Sequence, residues 1–325
     1  MSKPRVLVAR AIFPEIIAKL EQHFDLETNQ PDEDMSGNRL IDKLREKDGA
    51  FTTGSVRIDK TVLEACPRLK ICANMAVGYN NFDLDAMTAR GVIGTNTPDV
   101  LTDTTADFGF ALLMATARRI AESEHYLRAG KWHKWAYDMF AGADIHGSTL
   151  GILGMGRIGQ GIAKRGAHGF GMNVIYHNRS RLDAAMENEC KARYVSKDEL
   201  LRTADHLVLV LPYSKESHHI IGASELALMK PTATLVNIAR GGIVEENALV
   251  QALRKGSQGG GIAAAGLDVF EGEPKVNPEL LTVPNVVLTP HIASASVPTR
   301  RAMADLAADN LIAYFQTGKA ITPLN

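Results

Sequence analysis

A strand, a glycine-rich turn and a helix in direct succession constrain this chain more than any other feature. The apolar run Thr149–Leu153 feeds straight into Gly154-Met155-Gly156-Arg157-Ile158-Gly159, a G-x-G-x-x-G turn that opens a helical pattern. The three glycines serve a tight turn, close approach of backbone to a pyrophosphate, and close helix–strand packing. The helix start adds free N–H groups that favour an anion. The arrangement predicts a dinucleotide site, with all six residues 154–159 in contact with the cofactor. A dinucleotide site for NAD carries Asp or Glu about 20 residues further on. Here that place falls at Asn178, followed by Arg179 and Arg181. Asn has no charge to repel a 2′-phosphate, and the arginines can pair with one. One such pair, worth about 1.5–3 kcal/mol, favours NADPH roughly ten- to a hundredfold, with NAD still usable. The other reading leaves both arginines as solvated loop residues.

The rest of the chain alternates β-branched runs with amphipathic stretches. Residues 5–9, 50–53, 69–74 and 92–95 read as buried strands, with helices at 14–24 and from Asp59 to just before Pro67. From Thr102 to Gly130 the pattern is one long helix; both tryptophans, Trp132 and Trp135, follow in a segment that resists assignment. Beyond the glycine turn, strands are expected at 173–176, 206–211, 234–237, 265–269 and 286–289, and a last helix at 298–316. The predicted fold is α/β, with two doubly wound parallel-sheet domains. A Rossmann-type cofactor domain (102–291) is inserted into a flavodoxin-like substrate domain (1–101 and 292–325).

Composition narrows the function. Of 325 residues, 45% are hydrophobic and 22% charged, which excludes a mostly disordered chain. With 36 basic and 37 acidic residues, the net charge of −1 gives no footprint for nucleic acid or an anionic membrane. The longest apolar stretch, 108–117, is about half of what a membrane span needs. Three cysteines without ligand spacing point to a reducing cytoplasm and to no zinc site. His218-His219 lacks helical ligand spacing and acidic neighbours, so a solvated helix start and no bound metal are expected.

Three segments are expected at strand ends, where a doubly wound sheet binds ligands: Asn237-Ile238-Ala239-Arg240-Gly-Gly, Gly266-Leu-Asp268-Val-Phe-Glu-Gly-Glu273-Pro and Thr289-Pro-His291-Ile. With the glycine turn and the N-terminal V-G-Y-N-N-F-D at 77–83, these motifs resemble the D-isomer-specific 2-hydroxyacid dehydrogenases over essentially the whole chain. The resemblance implies that His291 donates or accepts the proton, Glu273 is its partner and Arg240 anchors the substrate carboxylate. Those residue types suit hydride reduction of a 2-oxo acid. The carbonyl oxygen must gain a proton, a carboxylate beside imidazole keeps an acid available near neutral pH, and arginine offers two parallel donors.

The resemblance further implies substrate contacts from Val77 and Gly78, and cofactor contacts from Thr105, Leu211, Pro212, Ile238, Ala239 and Asp268. Asp268 would meet the nicotinamide carboxamide. Within the family the chain looks most like glyoxylate/hydroxypyruvate reductases, including forms that reduce 2-ketogluconate, and a homodimer is implied. In such a dimer Trp135 would reach the partner's site; the alternative is a tryptophan buried in its own domain. Reduction of a larger sugar acid, action on another D-2-hydroxy acid, and a dinucleotide-sensing corepressor role stay open. Two departures stand out. Arg240 and Glu273 lie 33 residues apart, with the excess in the Gly256–Gly261 loop, and Ala293 replaces the glycine usual in P-H-I-G.

Overall fold

The computed structural model describes residues 3–325 and divides into two compact units. One comprises Met1–Leu101 with Ala295–Asn325, the other Thr102–Ser294. In the first unit, strands β1 (Arg5–Val8), β2 (Asp25–Thr28), β3 (Gly49–Thr52), β4 (Ile71–Asn74) and β5 (Ile93–Thr95) form an all-parallel sheet. Its order is β2-β1-β3-β4-β5, the flavodoxin-like arrangement. Helices α1 (Pro14–Glu21), α2 (Gly37–Leu44), α3 (Lys60–Ala65) and α4 (Leu84–Ala89) connect the strands. Asp59 and Asp83 cap α3 and α4 through the Val62 and Ala86 N–H groups. The closing helix, Val297–Thr317, returns to this unit and buries Ala304, Ala307, Ala308 and Leu311 against Val6, Val8, Phe51 and Ile71. Covered on both faces, the three central strands consist largely of buried residues without alternation.

The second unit begins with α5 (Thr102–Ala117) and α6 (Ile120–Arg128). Its sheet contains β6 (Thr149–Leu153), β7 (Asn173–His177), β8 (Ala192–Tyr194), β9 (His206–Leu209), β10 (Thr234–Asn237), β11 (Ala264–Leu267) and β12 (Val286–Leu288). The order β12-β11-β10-β9-β6-β7-β8 is all parallel and reverses at β6/β9, the Rossmann switch point. Helices α7 (Arg157–Lys164), α8 (Ala184–Cys190), α9 (Lys197–Thr203), α10 (Ala223–Leu228) and α11 (Glu246–Lys255) complete it. Among the described residues no helix is long and apolar enough to cross a membrane.

Several local expectations are corrected. Edge strands β2 and β8 escape the sequence reading because their residues are largely half-exposed, so neither carries a buried apolar run. The helix expected over 102–130 is two helices. The chain doubles back so that the Ala143 N–H caps the Ala117 carbonyl at the end of α5. Arg119 then turns the backbone at φ +54° and grips Glu122 with two hydrogen bonds of 2.8 Å. The second junction between units falls after Ser294, with His291 and the turn around it in the continuous unit.

Candidate active site

The glycine turn follows β6 as the motif requires. Gly154 takes φ +103°, and a Cβ there would lie 2.6 Å from the Leu211 nitrogen. At Gly159 a Cβ would meet the Gly154 carbonyl oxygen at 2.5 Å, whereas at Gly156 nothing lies within 4 Å. The turn is therefore packed shut behind and open in front, as the approach of a pyrophosphate needs. No side chain caps the start of α7, so its first N–H groups remain for an anion. Thr105 on α5 has a buried hydroxyl without a hydrogen-bond partner among the described residues. These residues fit a dinucleotide.

Asn178 has a further use. Its Oδ1 accepts the Met155 N–H at 2.6 Å, bracing the turn from the end of β7. Arg181 pairs with Glu187 through Nε and Nη2 at 2.8 and 2.7 Å, with Nη1 outside that pair. The Arg181 and Tyr176 hydrogen bonds bring the Glu187 carboxyl down to about 2. Of the two arginines expected at the ribose, exposed Arg179 is the one outside such a pair.

Three turns at the carboxyl ends of β10, β11 and β12 carry the predicted catalytic residues. After β10, the Asn237 side chain accepts the Ala239 N–H and donates to the Arg240 carbonyl, so one amide shapes the whole turn. Ile238 and Ala239 are buried behind Arg240. Burial lowers the Arg240 pKa, and the charge of Glu273 works against that fall. After β11, Glu273 Oε1 accepts the Phe270 N–H at 2.8 Å and Oε2 meets His291 Nδ1 at 2.7 Å. Burial opposes ionisation of Glu273, but the bonds from His291 and Phe270 prevail and its pKa is lowered.

His291 stands on backbone that few L-residues adopt, at φ +53°. The neighbouring turn explains how it is held. Asp268, 0% exposed, accepts the Thr289 hydroxyl, the Ile292 N–H and the Ala293 N–H at 2.8–2.9 Å. Its own carbonyl accepts the His291 N–H at 2.9 Å. Burial raises the Asp268 pKa against the pull of those donors. The carboxylate expected at the nicotinamide carboxamide also braces the 289–293 turn. Ala293, whose methyl raised a question of pocket size, is buried within that turn.

Val77 and Gly78 lie in the other unit, after β4. Asn96 and Asn74 tie back their carbonyls, and neither N–H has an acceptor among the described residues. Leu211 backs Gly154, and Pro212 is exposed beside it. Trp135 is 74% exposed, which removes the reading of a tryptophan buried in its own domain. Residues 256–261 make a compact surface turn closed by the Gly261 N–H on the Gly256 carbonyl. The sequence reading missed Asp268 as a clamp, and it missed the partner of His219, which is Glu271 at 3.1 Å. No local pattern marks either contact.

Residues 110–293 match the NAD binding domain of the D-isomer specific 2-hydroxyacid dehydrogenases. The chain belongs to this family and is an NAD(P)-dependent oxidoreductase. A glyoxylate reductase of Thermococcus onnurineus is 50% identical over 316 residues, covering 96% of this chain and 93% of that protein. One from Pyrococcus horikoshii is 49% identical over 317 residues, with the same coverages. Among solved structures, an NADPH-dependent glyoxylate/hydroxypyruvate reductase of Sinorhizobium meliloti, in complex with NADP and malonate, superposes with a TM-score of 0.87. It is 37% identical, over 99% of this chain and 97% of that one.

Proposed function

We propose that this enzyme is a cytoplasmic reductase of glyoxylate, hydroxypyruvate and similar small 2-oxo acids, with NADPH preferred over NADH. The observation that carries the reading is the 2.7 Å bond between His291 Nδ1 and Glu273 Oε2 beside desolvated Arg240. An ionised carboxylate only accepts, so Nδ1 carries the proton and Nε2 is left to protonate the substrate's carbonyl oxygen. Glu273 stabilises the imidazolium before transfer and orients the ring. Arg240 binds the substrate carboxylate through its fork, and its partial burial strengthens that pairing. The N–H groups of Val77 and Gly78, whose carbonyls are tied back by Asn96 and Asn74, are donors of the kind a carboxylate accepts. The bound dinucleotide supplies the hydride to the substrate's C2.

Asn178 and Arg179 underlie the cofactor preference. Neither repels a 2′-phosphate, and Arg181 keeps Nη1 outside its pair with Glu187. Exposed Trp135, together with Trp132 and Tyr137, suits burial in a homodimer, where Trp135 would reach the partner's site. One panel of 2-oxo acids assayed with each cofactor tests the reading. Glyoxylate and hydroxypyruvate should give the highest kcat/KM, and NADPH should exceed NADH at least tenfold. Preference for a larger sugar acid would overturn the substrate assignment, and equal use of NADH the cofactor assignment.

A further inference from the structure

One cluster of chemistry-bearing side chains lies outside the residues assigned to substrate or cofactor. His218 and His219 follow β9 with their rings stacked, centroids 3.8 Å apart. Tertiary folding brings Glu271 to them: one ligating atom from each of the three residues lies within 4.8 Å of the others. The wall behind the pair is rigid. The His219 N–H donates to the Gly242 carbonyl at 2.7 Å, and a Cβ on Gly242 would lie 2.8 Å from the Tyr213 ring and 3.3 Å from His218 Nδ1. The Tyr213 hydroxyl meets His218 Nδ1 at 3.0 Å, which leaves Nε2 of His218 for another partner.

The His219 Nε2 to Glu271 Oε2 separation is 3.1 Å. Two ligands of one tetrahedral ion, each bonded at about 2.0–2.1 Å, stand roughly 3.3 Å apart. The pair therefore already stands at nearly the separation of two ligands of one small cation. Two imidazoles and one carboxylate suit zinc and its transition-metal neighbours rather than magnesium or calcium, which take oxygen donors. Closing the site requires exposed His218 to swing out of the ring stack, and water can complete the coordination. We propose that His218, His219 and Glu271 bind a divalent transition-metal ion of the zinc type. On binding, the ion takes the Nε2 lone pair of each ring and one Glu271 oxygen; a neutral ring protonated at Nε2 passes that proton through solvent to Nδ1, and no redox change occurs.

The site has a route to the chemistry that needs no contact with substrate. Glu271 is two residues from Glu273, and its N–H is held by buried Glu246 at 2.7 Å. An ion on the Glu271 side chain would fix the loop that carries Glu273 and slow turnover. Calorimetric titration of the chelator-treated full-length protein with zinc chloride tests the proposal. One equivalent should bind. His218→Ala and Glu271→Gln should each weaken that binding at least tenfold. Zinc should lower kcat of the wild type, and His218→Ala should keep its activity at the same concentration. Cobalt(II) offers a second readout through a tetrahedral d–d spectrum, absent in His218→Ala. Equal zinc affinity in wild type and His218→Ala, or no binding to the wild type, would overturn the site.

Discussion

The turns at 154–159 and 289–293 follow β6 and β12, and both contain backbone with positive φ. At Gly154 the value is +103°, and the residue type makes it free of steric cost. His291, at +53°, bears a side chain the reaction needs, so its conformation must be imposed from outside. Asp268 supplies that constraint from the end of β11 with three accepted hydrogen bonds. The comparison shows two ways of fixing a functional turn. A turn that only makes room for a ligand is shaped by missing side chains. One that presents a reactive group is shaped by a buried carboxylate that holds it.

The largest expected effect is chemical. His291→Ala should lower kcat by roughly a hundred- to ten-thousandfold, the usual contribution of a positioned proton donor, with cofactor binding retained. Stopped-flow hydride transfer and cofactor titration would separate the two. Asp268→Asn strikes the clamp rather than the acid. Its NH₂ group would face backbone donors where an acceptor is needed, at a cost of about 1–3 kcal/mol in stability. Denaturant unfolding would measure that loss, and kcat should fall further than the KM for NADPH rises. Unchanged kcat would show that the His291 backbone holds itself and would erase the contrast between the turns.

On the glycine turn, Asn178→Asp keeps an acceptor for the Met155 N–H and adds a charge. Stability should change little, while the NADPH-to-NADH ratio of kcat/KM falls about tenfold or more. The smallest effect belongs to a carboxylate outside both turns. Burial opposes ionisation of Glu225, but the Ser224 hydroxyl, Lys197 and the Gly222 N–H outweigh it and bring its pKa to about 2. A depressed folded pKa gives stability that is present above the unfolded value, about 4.3, and is lost as pH falls toward 2. Glu225→Gln should flatten that part of a Tm-versus-pH curve and leave activity unchanged.

The same contrast governs what was legible in the sequence. The glycine turn, the β-α alternation and the order of strand-end motifs are local or periodic, so the chain shows them directly. Edge strands β2 and β8 carry no buried run, and the stop after α5 depends on Ala143, a residue distant in sequence that returns to cap Ala117. The sequence does not show that Arg181 pairs with Glu187, and His219 lacks an acidic partner until Glu271 arrives from 52 residues away. Asp268 is the sharpest case. Its type and motif are plain in the sequence, whereas the turn it holds is defined only by tertiary hydrogen bonds.

The central claim is that His291 acts as the acid with Glu273 as its ionised partner, and the kinetics of Glu273→Gln test it most directly. In the wild type the pair stabilise each other's charges, which is part of why the Glu273 pKa is lowered. Removing the carboxylate should lower kcat/KM for glyoxylate, with the KM for NADPH unchanged. A Glu273→Gln enzyme with the kcat/KM of the wild type would contradict the account.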